Sequence, residues 1–181
     1  AEAARLNKPV YLCPVQIKTD GKPDQYCKST YAGSGYAVWA DSPVYDQKYE
    51  RNKDESLRTI VMNKAKDQVK VRYQIRNVGF DGKDIKAEKD AKILAFFPDG
   101  SIKRYSVDST GAMKVGYPVS GFTKFTFTDN DAKDKDTSER RAVTLLVSGG
   151  QVSFCANSDS RPACKYDVDL TGATCNEYGG C

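Results

Sequence analysis

The sequence predicts a mostly antiparallel β domain with one short helix at its N-terminus. Three observations carry this. Apolar and polar residues alternate with period two over several short segments, the pattern of half-buried strands. Turn signals such as Pro98-Asp99-Gly100-Ser101 and Ser148-Gly149-Gly150 separate those segments. A length of 181 residues suits a single domain with a real core.

Taken in order, Ala1 to Leu6 has helix-forming composition and stops at Asn7-Lys8-Pro9, where proline forbids continuation. So short a helix is not stable alone, and it is expected to be the last turns of a longer one. Val10-Tyr11-Leu12-Cys13 reads as a short buried strand ended by Pro14, and Thr19 to Ser34 as a loop tied at Cys27. Gly35 to Asp41 is a strand, Asp46 to Glu55 a polar surface loop, and Ser56 to Met62 and Val69 to Arg76 are further strands. The last sets Val69, Val71, Tyr73 and Ile75 on one face, with Lys70, Arg72, Gln74 and Arg76 on the other. Lys92 to Val107 is a hairpin, and Phe122 to Thr128 is a strand with Phe125 and Phe127 on one face. Arg141 to Cys155 is a second hairpin. Residues 1–8 thus form the helix end, 9–155 the β-rich core and 156–181 a tail of one domain.

Composition removes whole classes of chemistry. The chain has no histidine, so His-dependent triads, Cys–His dyads and the usual zinc and copper ligand sets are excluded. A net charge of +4 is too weak by itself to indicate a nucleic-acid binder. The longest apolar runs, Tyr36–Ala40 and Ile93–Phe97, fall far short of the roughly 20 residues a spanning helix needs. Ala1 to Arg5 lacks the apolar region of a signal peptide, so none is expected.

Six cysteines stand at 13, 27, 155, 164, 175 and 181, with none between 28 and 154. No C-x-x-C spacing occurs, which leaves a redox motif or zinc ribbon unsupported and favours three disulfides in an oxidising compartment. The cysteine-free middle favours Cys13–Cys27, with Cys155, Cys164, Cys175 and Cys181 stapling the tail in a pairing left open.

Five groups of residues are candidate sites. Lys70, Arg72 and Arg76, joined by Lys64 and Lys66, offer a weak contact to nucleic-acid phosphates, against the commoner reading of a solvated strand face. Asp129, Asp131, Asp134, Asp136 and Glu139 suggest a calcium loop, but Lys133 and Lys135 interleave with them and the loop glycine is missing. Asp81-Gly82-Lys83-Asp84 is a weaker case of the same kind. Lys103, Arg104 and Tyr105 converge on no reaction, so no catalytic residue, metal ligand or cofactor is assigned. Trp39 and tyrosines 31, 36, 45 and 49 are candidate surface anchors for neighbouring subunits, with a core reading equally open for Trp39 and Tyr36.

The ordered landmarks resemble the GspH/FimT family of type IV minor pilins and type II secretion pseudopilins. The matching residues are Ala4-Arg5-Leu6-Asn7-Lys8-Pro9-Val10-Tyr11-Leu12-Cys13-Pro14, Cys27, Gly35-Tyr36-Ala37-Val38-Trp39-Ala40-Asp41 and Leu57-Arg58. Phe97-Pro98-Asp99-Gly100, Arg141-Ala142-Val143, Ser148-Gly149 and Val152 to Cys155 follow in the family's order. The resemblance spans about 10 to 155. It implies an α+β, pilin-like fold: a truncated N-terminal helix packed on two antiparallel sheets, with the disulfide-stapled tail beyond. It also implies a FimU-like minor pilin near the pilus tip, whose missing apolar helix anchors it in the inner membrane before assembly. Its partners would then be other minor pilins and major pilin subunits, met through that helix and the head. The location implied is a periplasmic head, later a pilus at the bacterial surface. A secretion pseudopilin is the alternative, as is a DNA-uptake pilin. The DNA-uptake branch carries Gly-Arg-x-Arg in the final hairpin, whereas this chain has Gly150-Gln151-Val152-Ser153. DNA is therefore an unexpected partner.

Overall fold

The computed structural model describes residues 2–181 except 25, 32, 43–47, 64, 67, 131–140, 167–169 and 171–174. Ten strands among the described residues form two antiparallel sheets. They are β1 (Val10–Val15), β2 (Gly35–Ala40), β3 (Glu55–Val61), β4 (Val71–Val78), β5 (Ile93–Phe96), β6 (Ile102–Val107), β7 (Met113–Pro118), β8 (Phe122–Asp129), β9 (Arg141–Val147) and β10 (Val152–Cys155). The larger sheet has the order β3-β2-β1-β5-β6-β7, the smaller β10-β9-β8-β4. The fold is mostly antiparallel β, as the alternation predicts.

The helix α1 (Glu2–Leu6) ends through its backbone. Asn7 takes φ 50°, the left-handed region that asparagine tolerates better than most residues. Asn7 N–H then donates to Ala4 O and Lys8 N–H to Ala3 O, which satisfies two carbonyls left over at the helix end. Ala3 is buried and, with Leu6, docks against Val10, Ala40, Val38, Leu57 and Phe96 of the larger sheet.

Two differences from the sequence reading concern proline and glycine. Pro14 does not end β1; it lies inside the strand, opposite Tyr36 of β2. On the other side β1 meets β5 only from Val10 to Leu12. The Pro14 carbonyl accepts from Lys28 N–H, so its N-atom also points away from β2, where no ladder bond is lost. Strand β7 goes unread in the sequence because Gly116 and Pro118 interrupt its pattern. Gly116 is required there: a Cβ would lie 2.6 Å from the Tyr105 ring, which covers it.

Alternation along the strands builds the layers. Leu12, Tyr36, Leu94 and Ile102 face the smaller sheet and meet its Tyr73, Ile75, Phe125 and Leu146. The opposite face of the larger sheet carries Tyr11, Cys13, Val15, Trp39, Ile93 and Tyr105, closed over by Ile17, Cys27 and Tyr49. Tyr49 is therefore buried, although it lies in the stretch expected to be a surface loop; it packs on Trp39 at 5.5 Å between ring centroids.

Three disulfides are present: Cys13–Cys27, Cys155–Cys164 and Cys175–Cys181. The second places Ala163 and Cys164 over Val78, Val143 and Leu145, so the tail covers the outer face of the smaller sheet. The third closes the chain end, where Tyr73 N–H donates to Gly179 O and Cys181 N–H to Tyr73 O along the edge of β4. No helix among the described residues is long and apolar enough to cross a membrane.

Candidate functional site

The outer face of β4 is the best candidate in the sequence, and the tail lies across it. Lys70 is exposed just ahead of the strand, while Arg72 and Arg76 are half-buried. Arg72 Nη1 donates to Leu170 O at 3.0 Å, and Arg76 Nε to Asp84 Oδ1 at 2.7 Å. Opposite Arg76 across the β4–β8 ladder, Lys124 is fully buried and its Nζ donates to Lys165 O at 2.5 Å. Lys66 is joined to Glu177 at 2.6 Å, which raises the lysine pKa. Lys64 lies outside the described residues. Arg72, Arg76, Lys124 and Lys66 are thus engaged by carbonyls and carboxylates of their own chain, which leaves Lys70 as the exposed cation of the set that is not so engaged among the described residues.

The final hairpin carries an arginine that sequence reasoning misses. Arg161, from the tail, donates through Nη2 to Ser153 Oγ at 3.1 Å. Asp159 accepts from both its Nε and Nη2, and its pKa is held down by that guanidinium. No local motif signals this, because the contact depends on how the Cys155–Cys164 bridge folds the tail back. A cleft of about 470 Å³ opens beside it, lined by Val143, Cys155, Asn157, Asp159, Arg161 and Tyr166. Cys155, Asp159 and Cys164 also bring their sulfur and oxygen atoms within 4.8 Å of one another. They are not a metal set, since the two sulfurs are bonded to each other and it is the free thiolate that ligates.

The remaining candidates separate. Asp129 ends β8 exposed, and Asp131, Asp134, Asp136 and Glu139 lie outside the described residues. In the 81–84 turn, Asp81 Oδ1 accepts from Lys83 N–H and Asp84 is taken by Arg76. Lys103, Arg104 and Tyr105 alternate between layers. The Lys103 ammonium stands 5.4 Å from the Phe97 ring centre, and Tyr105 joins Tyr11 in the outer core. Trp39 is fully buried, stacked on Tyr11 at 4.5 Å, and Tyr36 is buried with its hydroxyl 2.6 Å from that of Tyr73. These two aromatics and Tyr49 are core residues rather than surface anchors. Tyr31 is half-buried against Tyr178, and Tyr45 lies outside the described residues.

Arg104 holds the most demanding position in the molecule. It is fully buried between the sheets, pairs with the nearly buried Glu88, donates Nε to Thr123 Oγ1 at 2.9 Å and Nη1 to Ser120 O at 3.2 Å. Burial lowers the guanidinium pKa, and the Glu88 carboxylate opposes that shift. Nη2 finds no acceptor among the described residues. Asn77 Nδ2 fixes the Glu88 backbone by donating to Glu88 O and Ala91 O, both at 2.8 Å. The group ties the two sheets together, since Arg104 of β6 bonds to Thr123 of β8 and Thr123 in turn to Asn77 of β4. Comparison with family models, curated proteins and solved structures finds no match to this chain.

Proposed function

We propose that this chain is the head of a FimU-like minor pilin, incorporated near the tip of a type IV pilus and acting through packing rather than catalysis. The observation that carries the reading is the docking of α1. The helix stops at Asn7 through its own backbone bonds, and its apolar face lies on the larger sheet at Val10, Ala40 and Phe96. A second antiparallel sheet packs on the same face further along, and Cys13–Cys27 pins the loop behind it. That order of helix, bridge and two sheets is the one implied by the family's landmarks. The engagement of Arg72 and Arg76 within the chain supports a packing role over a DNA-binding one.

Gene disruption tests this. Piliation and surface motility should fall, and the head carried on a hydrophobic N-terminal helix should restore them while residues 1–181 alone should not. Full rescue by residues 1–181 alone would overturn the reading. Normal pili with a defect in protein secretion would reassign the head to a type II secretion pseudopilin.

A further inference from the structure

Two sheets have four edges, and three of them are blunted against pairing. The β4 edge is taken by Gly179 and Cys181, which bond to Tyr73. The β3 edge carries the exposed charges of Glu55 and Arg58. The β7 edge carries exposed Lys114 and Pro118, with a register break against β6. Charges, prolines and irregularities of this kind are how proteins keep edges from finding partners. Strand β10 has none of them within its own sequence: it reads Val152-Ser153-Phe154-Cys155, flanked by Gln151 and Ala156, and the Arg161 guanidinium meets it at the Ser153 hydroxyl, on the face opposite Val152 and Phe154. Phe154 is 78% exposed and Val152 56%, the two most exposed large apolar side chains on any strand among the described residues.

The ladder shows which backbone groups of β10 have no partner among the described residues. Val147 N–H donates to Gln151 O at 3.0 Å, so 147 and 151 form a bonded pair closing the hairpin. Bonded pairs alternate along an antiparallel ladder. Ser153, opposite Leu145, and Cys155, opposite Val143, therefore turn their backbone groups toward β9. Val152 and Phe154 turn theirs outward, and their side chains share one face. An N–H and a C=O at residue i, repeated at i+2, is a self-complementary edge.

We propose that two copies of this chain pair through β10 about a two-fold axis at Ser153. Val152 of each copy lies opposite Phe154 of the other, four backbone hydrogen bonds form, and the two smaller sheets join into one of eight strands. Antiparallel two-fold pairing is the register in which both outward residues find bonded partners and the apolar side chains meet across the strands. At roughly 150–250 Å² for an aromatic side chain, the four apolar side chains contribute about 500 Å², well under the roughly 1,200 Å² of a stable interface. The pairing is accordingly weak, with a dissociation constant of about 1 mM, and it belongs to crowded assemblies rather than dilute solution. It stands independently of the pilin reading.

Sedimentation equilibrium of the intact chain from about 10 μM to about 1 mM measures it directly. The weight-average mass should rise toward that of a dimer, and Phe154→Lys should weaken association at least tenfold; its exposed site makes the variant safe for folding. A chain that stays monomeric at the highest concentration overturns the proposal, as does association that survives Phe154→Lys. The register has its own test. Non-bonded antiparallel pairs bring Cα atoms to about 4.5 Å, within disulfide range. Ser153→Cys should therefore cross-link into dimers under mild oxidation while Asn157→Cys should not. Equal cross-linking of the two overturns the two-fold register.

Discussion

Glu88→Gln is the sharpest probe of the buried core. The substitution keeps volume and an acceptor beside Arg104 but removes the only carboxylate that the guanidinium meets among the described residues. Arg104 is fully buried, and its Nη2 has no acceptor among the described residues, so without the carboxylate the charge is left to the neutral acceptors Thr123 Oγ1 and Ser120 O. Breaking one partner of a buried pair costs about 3–5 kcal/mol. That is a large share of the roughly 5–15 kcal/mol that holds a typical domain folded. Thr123→Val removes the Nε acceptor together with the hydroxyl's long donation to Asn77 Oδ1, and should cost about 1–3 kcal/mol. Arg104→Met with Glu88→Gln removes both charges, and should recover most of the loss, because a buried pair adds little over an apolar replacement. Urea unfolding followed by circular dichroism gives the midpoints, and an unchanged slope shows that the unfolded state is unaltered. If the double variant is no more stable than Glu88→Gln alone, the pair is not coupled and the reasoning fails.

Three further outcomes are expected. Replacing Cys155 and Cys164 by serine should cost about 2.5 kcal/mol, from closure of a loop with a sequence separation of 9, and should raise protease sensitivity in 156–170 first; an unchanged cleavage pattern would show that the bridge does not hold the tail down. Burial raises the phenol pKa of Tyr36 and lifts that of Tyr73 to about 12. A phenol with a folded pKa above its ordinary value near 10 keeps its proton more tightly when folded. The stability it contributes is therefore complete below about pH 10 and lost as pH rises toward 12; absorbance titration of the 11 tyrosines should show a late group ionising together with unfolding, and normal ionisation of them all would refute it. Duplex DNA at physiological salt should bind no tighter than the roughly 10⁻⁴–10⁻⁶ M of non-specific contact, checked by gel shift.

What is readable in the sequence is what period-two alternation controls. The faces of β4 and β8 follow from Tyr73 and Ile75 against Phe125 and Phe127, and the cysteine-free middle points to Cys13–Cys27. What is not readable depends on contacts between distant segments. Lys70, Arg72 and Arg76 look like a solvated stripe because nothing local says that residue 170 will lie beside residue 72. Tyr49 sits among polar residues, and only the proximity of Trp39 buries it. Arg104 does carry a signal: it shares a face with Ile102, and a charge on an apolar face demands a partner. Its partner, 16 residues away in the polar run Lys86 to Asp90, carries none.

The tail explains why the smaller sheet, apolar on both faces, is stable in this chain. Val78, Val143 and Leu145 face outward from it, and left bare they would form an exposed apolar patch with the cations of β4 and β8 at its rim. The described residues of 156–181 cover that patch with little regular structure of their own, which makes ordering them costly at about 1–2 kcal/mol per residue. Two short-range disulfides offset part of that cost by restricting the unfolded tail, and the backbone pairing at Tyr73 secures its end. The same cover takes up the carbonyl-seeking donors of Arg72 and Lys124, and so withdraws from phosphate contact the residues that β4 and β8 alone would offer. A segment that stabilises one face thereby decides which surfaces stay available for partners. Among the described residues of the smaller sheet, Val152 and Phe154 of β10 stay exposed.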